Sequence, residues 1–143
     1  MTTRSSGFSL VELLVVVAIL GIISAIGIVS YQGYIAGSKK TSAKNVMQQI
    51  SLAQTEEYSN SGRYWTNDEA PCTGGVPSSA TSKEIEDVLF GGGDQIGDEV
   101  GYEMCIVSPS SGTGYTIKAL YGGEADQCSI ELTHNGVWTE ENC

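Results

Sequence analysis

The chain has 143 residues, 41% of them apolar, with 18 glycines, four cysteines, and seventeen acidic against seven basic side chains. Its length favours one globular domain, and a near-neutral mean hydropathy argues against both a polytopic membrane protein and a disordered chain. A net charge of −10 disfavours generic attachment to nucleic-acid phosphates or anionic lipid, both of which need a basic face.

The apolar residues are not spread evenly. Residues 8–29 read FSLVELLVVVAILGIISAIGIV with Glu12 as their one charge; at roughly 1.5 Å per residue they can cross a hydrocarbon core of about 30 Å as a helix. The polar start MTTRSSG raises the alternative of a cleaved secretory signal. The run is too long for a typical signal core, carries a carboxylate near its start, and is not interrupted by a small-x-small cleavage site.

Glu12 is the most informative residue, because a carboxylate inside an apolar span costs on the order of 2 to 4 kcal/mol unless it finds a partner. No Lys, Arg or His lies between Arg4 and Lys39, so a cationic partner must come from outside the segment. Lys39, Lys40 and Lys44 follow the span while only Arg4 and the amino terminus precede it. Taken alone, that asymmetry places the carboxyl-terminal part in the cytoplasm.

Beyond Val29 the chain turns amphipathic. Ala43, Val46, Met47, Ile50, Ala53 and Gln54 follow the i, i+3, i+4 rhythm of a helix with one packing stripe, and Asn60-Ser61-Gly62 predicts its stop, with Gly62 as a left-handed cap. Residues 30–62 therefore read as a helical spine continuing the span. A short helix is predicted over 82–90, with Ser82 as N-cap, within an otherwise loop-like stretch from 66 to 101. Alternating runs at 102–107, 115–121 and 129–133 predict strands, and Asn135-Gly136 before Val137-Trp138 predicts a type I′ hairpin leading into a fourth. The expected fold is α+β: a long amino-terminal helix whose second half packs on an antiparallel sheet of about four strands.

Cys72, Cys105, Cys128 and Cys143 all follow the span and show no CxxC spacing, which argues against a zinc or thioredoxin-like site. An even count in a small loop-rich domain predicts two disulfides in an oxidising compartment, against the orientation suggested by the lysines. Three connectivities are possible. His134 sits beside a predicted turn and reads as solvated. Gly91-Gly92-Gly93 lacks the Gly-Lys-Ser/Thr ending of a phosphate loop, and Asp94, Asp98, Glu99 and Glu103 match no EF-hand spacing. With no nucleophile or acid/base constellation, no catalytic residue, metal site or cofactor is expected, and the chain reads as a non-enzyme.

Gly7-Phe8-Ser9-Leu10-Val11-Glu12, followed by an apolar helix, resembles the prepilin processing motif of type IV pilins and related pseudopilins. The resemblance implies a leader, residues 1–7, removed by a prepilin peptidase between Gly7 and Phe8, and N-methylation of the new terminus at Phe8. It implies that residues 8–29 form a membrane anchor that becomes the filament core, and that Glu12 pairs with the terminal amine of a neighbouring subunit during assembly. That amine supplies the cation the segment lacks, and methylation keeps its charge. Residues 53–65, AQTEEYSNSGRYW, resemble the aromatic-rich end of the spine helix in type IVa pilins of the minor, E-type subclass, and read equally as an ordinary helix cap with flanking aromatics packed underneath. Val29 departs from the family, many of whose members carry proline there; Gly21 and Gly27 remain as softening points.

For residues 63–143 the resemblance implies a variable loop, the sheet and a disulfide-bonded carboxyl-terminal region, with Cys128 joined to Cys143 around the hairpin and Cys72 left to Cys105. The implied function is a structural subunit of a type IV pilus serving adhesion, twitching motility or DNA uptake. Its partners are other copies of itself, the prepilin peptidase, the assembly machinery with its ATPase, and the inner membrane before assembly. The domain outside the membrane is then periplasmic in the precursor and extracellular in the pilus. A pseudopilin of a type II secretion system is the alternative function. A DNA-binding minor pilin would need a basic patch that few cations are available to build.

Overall fold

The computed structural model describes residues 7–67, 72, 76–97, 99–109, 113–122 and 127–143. Its elements are α1 (Leu10–Ser61), α2 (Ser79–Leu89), β1 (Tyr102–Val107), β2 (Thr116–Tyr121), β3 (Ser129–Thr133) and β4 (Trp138–Glu141). The chain divides into two compact units, Met1–Gly37 and Ser38–Cys143. The boundary falls eight residues later than the change in hydropathy at Val29, because the first core contact of α1 comes only with the amphipathic stripe.

In the first unit α1 is helical without a break, through Gly21, Gly27 and Gly33. Every described side chain from Phe8 to Ile28 is exposed. This is a helix long and apolar enough to cross a membrane.

The second unit is the expected α+β domain. Ala43, Val46, Met47 and Ile50 are buried on one stripe of α1, and Ala53 is half-buried at its edge. They pack with Tyr102, Met104 and Ile106 of β1, Ile117 and Ala119 of β2, and Ile130 and Leu132 of β3. The period of 3.6 on the helix and of two on the strands each bring one apolar face to this core. The sheet is antiparallel in the order β1-β2-β3-β4, a meander. On its other face the paired residues Lys118 and Glu131 form a cross-strand ion pair at 2.8 Å.

Helix α1 ends where the sequence predicts, with Gly62 at φ 76° and its N–H donating to Tyr58 O at 2.9 Å. The buried Gln54 amide then braces the returning chain, donating to Trp65 O at 2.8 Å and accepting from Trp65 N at 2.9 Å.

Three sequence expectations are corrected. The short helix starts at Ser79 with Ser78 as its N-cap, not at Ser82: Ser78 and Thr81 form a reciprocal capping box. Ser82 instead lies inside the helix, where Oγ accepts the Met104 N–H at 2.9 Å and donates to Glu103 Oε2 at 2.5 Å. Tyr115 precedes β2, which begins at Thr116, and β4 extends to Glu141. The last hairpin is not a type I′ turn, because Asn135 is not among the residues of positive φ. The Gly136 N–H donates to Thr133 O at 2.9 Å and the Thr133 N–H to Val137 O at 3.0 Å, a three-residue loop with Gly136 alone in the left-handed region at φ 80°.

The outer edge of β1 is closed by side chains. The Asn67 side chain accepts the Ile106 N–H at 2.7 Å, and its amide donates to Thr81 O at 3.1 Å and Glu84 Oε2 at 2.8 Å. Thr81 Oγ1 donates to Met104 O at 2.7 Å. Backbone groups that would otherwise offer a strand-pairing edge are thereby used.

Candidate functional site

The segment that carries the processing-type hexapeptide also opens α1. Ser9 precedes the first helical residue, Leu10, and its Oγ accepts the Glu12 N–H at 3.3 Å. Glu12 Oε2 in turn accepts the Ser9 N–H at 2.9 Å, and Ser9 O accepts the Leu13 N–H at 3.2 Å. This is a capping box, in which two helix-end donors are satisfied reciprocally. The sequence reading sought a partner for Glu12 only outside the segment, and so missed one inside it; the signal was the Ser-x-x-Glu spacing itself. Gly7 and Phe8 stand just before the helix, both exposed, so the peptide bond between them lies outside regular structure.

From Glu12 onward the helix offers an apolar surface that nothing in its own unit covers: Leu13, Leu14, Val17, Leu20, Ile23 and Ile26 are each more than half exposed. An uncovered apolar helix of this length needs lipid or protein around it.

The cysteines form two disulfides, Cys128 with Cys143 and Cys72 with Cys105. The first closes the β3–β4 hairpin. The second ties the loop before α2 to the buried Cys105 of β1. A further clasp holds β4 to α1 within the second unit: Glu140 pairs with both Lys40 and Lys44, and the Lys44 ammonium lies 5.4 Å from the Trp138 ring centroid. Hydrogen bonds from Lys40 and then Lys44 hold the Glu140 carboxyl below the usual glutamate range, against a smaller opposing effect of desolvation.

The remaining candidates do not converge. His134 is exposed in the hairpin loop, its N–H donating to Tyr115 O at 3.0 Å. Asp94 and Glu99 are exposed, Glu103 accepts from Ser82, and Asp98 lies outside the described residues. Among the described residues no three His, Cys, Asp or Glu side chains gather to hold a metal. Glu86 is buried, and its Oε1 accepts the N–H groups of Gln95 and Ile96, both at 2.6 Å. It thereby holds the turn of Gly93, Asp94 and Ile96 as one wall of a cleft of about 700 Å³ that Lys39, Lys83 and Tyr121 also line.

The described residues thus combine a capped apolar helix, a processing-type sequence at its start and a disulfide-bonded α+β domain after it. The family profile described as the prokaryotic N-terminal methylation motif matches residues 2–28. The chain is 33% identical over 88 residues to the type IV major pilin protein PilE1 of Neisseria gonorrhoeae, covering 62% of this chain and 53% of that protein. It is 36% identical over 83 residues to the fimbrial protein EcpC of Eikenella corrodens, covering 58% and 52%. It is 41% identical over 61 residues to the type IV major pilin protein PilA of Myxococcus xanthus, covering 43% and 28%. The chain spans about half the length, or less, of the curated relatives it matches. No solved structure matches it. In its amino-terminal motif and in these relatives the chain is similar to type IV pilins.

Proposed function

We propose that the chain is a structural, non-catalytic subunit of a type IV pilus. It is held in the inner membrane as a precursor, cut between Gly7 and Phe8 by a prepilin peptidase, N-methylated at Phe8, and added by the assembly machinery and its ATPase to a helical polymer of its own kind. The observation that carries this reading is the uncovered apolar helix opened by Gly7-Phe8-Ser9-Leu10-Val11-Glu12. In the precursor lipid covers that helix; in the filament neighbouring helices do. On this reading residues 8–29 are the anchor and filament core, 30–62 the spine, and 63–143 the exposed sheet and loops.

Both disulfides support a periplasmic and then extracellular location over the cytoplasmic one that the lysines alone suggest. Lys40 and Lys44 are also engaged with Glu140, which weakens them as topology signals. The names of the relatives favour a pilus subunit over a pseudopilin. Adhesion, twitching motility and DNA uptake are the roles such a filament would serve. Deleting the chain should remove surface filaments, with their return on complementation. Filaments that persist while protein secretion fails would instead indicate the pseudopilin.

A further inference from the structure

Two tyrosines of the first unit stand apart from the rest. Tyr64, Tyr102, Tyr115 and Tyr121 all have aromatic partners with ring centroids within 5.3 Å, and Tyr58 stacks on Tyr64 at 4.6 Å. Tyr31 and Tyr34 are 64% and 74% exposed and, among the described residues, have neither a ring contact nor a hydroxyl hydrogen bond. They lie three residues apart on α1 and so share one face of the helix.

Their distance from Glu12 matters. Glu12 is the one charge of the span, and none follows it until Lys39. Along a continuous helix at about 1.5 Å per residue, Tyr31 lies about 28 Å and Tyr34 about 33 Å from Glu12. The hydrocarbon core is about 30 Å thick, so a helix with Glu12 at one boundary puts the two tyrosines on either side of the other. A tyrosine ring gains by leaving water, while its hydroxyl loses if carried into hydrocarbon without a partner; the headgroup boundary satisfies both.

We propose that Tyr31 and Tyr34 are the outer interfacial anchor of the membrane-held chain, seated among phospholipid headgroups and carbonyls. This rests on the reading of the chain as a membrane-held precursor. The pair sets the depth of the span, holding Glu12 at the inner boundary and the Gly7–Phe8 bond just beyond it, within reach of water.

The test uses the full chain in phosphatidylethanolamine and phosphatidylglycerol vesicles, with Tyr31→Trp and Tyr34→Trp made singly and Leu20→Trp marking the middle of the span. Emission above that of the unsubstituted chain, whose Trp65 and Trp138 supply the baseline, is followed with lipids brominated near the carbonyls or near the chain ends. Positions 31 and 34 should lose about twofold more of the added emission to the carbonyl-proximal bromines than to the distal ones, and position 20 should show the reverse. If the chain floats with the vesicles but positions 31 and 34 are quenched as deeply as position 20, or by neither lipid as when a second copy covers them, the anchor is overturned while the membrane reading stands. If the chain does not float, both are overturned.

Discussion

The backbone N–H of Ser9 donates to Glu12 Oε2 at 2.9 Å, so the carboxylate that assembly is proposed to use is already engaged at the end of its own helix. The proposed cleavage at Gly7–Phe8 would leave Ser9, and with it the cap, in place. On the proposed reading the cap would give the carboxylate a hydrogen bond while the monomer is in lipid, and the terminal amine of a neighbouring subunit would then add a charge partner. Glu12→Gln keeps an acceptor for Ser9 but removes the charge, whereas Ser9→Ala removes part of the cap at a cost of about 1 kcal/mol and leaves the charge. We expect Glu12→Gln to insert into the membrane normally and to lose surface filaments when it is the sole subunit, and Ser9→Ala to retain them. Membrane fractionation alongside electron microscopy reads both, and normal filaments from Glu12→Gln would contradict the proposed role of the charge.

Asn67 is the residue on which the join between α2 and β1 most depends. Replacing it with Ala leaves the buried Ile106 N–H without the acceptor seen here, takes a second donor from the Thr81 carbonyl, which keeps its place in α2, and removes a donor to the Glu84 carboxylate. With one unsatisfied buried group at about 1 to 3 kcal/mol, the variant should lose about 1 to 3 kcal/mol of stability. Denaturant unfolding of the detergent-held chain checks this; a loss below about 0.5 kcal/mol, the level of an ordinary surface substitution, would show that the edge is not held by Asn67.

The two disulfides should differ in worth according to the loops they close. Their sequence separations are 15 for Cys128–Cys143 and 33 for Cys72–Cys105. Chain-entropy arithmetic puts removal of the shorter at about 3 kcal/mol and of the longer at about 3.7 kcal/mol. Serine pairs at each site, compared by thermal unfolding, should both be destabilised, and the Cys72–Cys105 pair should fall further because Cys105 is also fully buried.

Glu140 gives a pH dependence with a definite sign. Its carboxyl is held low in the folded chain by Lys40 and Lys44, so its contribution is fully present above the unfolded value of about 4.3 and is lost as pH falls through the lower folded value. The difference in melting temperature between the parent and Glu140→Gln should be constant from neutral pH down to the ordinary glutamate range and then shrink. The group is partly solvated, so the difference should be modest and should fall with added salt. A difference that grows on acidification would contradict the clasp.

Much of this architecture could be read from the residues. Gly62 marked the end of α1, the stripe from Ala43 to Gln54 marked its buried face, and the alternation in Tyr102–Val107 and Ser129–Thr133 marked β1 and β3, because each signal is local and periodic. The misplacement at Ser82 arose because Ser78, Ser79, Thr81 and Ser82 are all cap-forming types; the reciprocal Ser78–Thr81 box, with Ser82 engaged by β1 instead, decides among them. The turn at Asn135-Gly136 was misread because the dipeptide fits two loop lengths, and the register of β3 with β4 selects the three-residue form. The contacts of Asn67 and Glu86 were invisible for another reason. Their partners lie far along the chain or in an irregular loop, where no spacing rule applies. At the amino terminus the hexapeptide was legible only by resemblance, while the Ser9–Glu12 cap was available from a spacing rule and overlooked.

The most direct test of the pilus-subunit account is the intact mass of the chain recovered from sheared surface filaments. The account predicts a subunit lacking residues 1–7, carrying one added methyl group at Phe8 and two disulfides. A dominant species that retains Met1–Gly7, or one cut elsewhere than before Phe8, would contradict it.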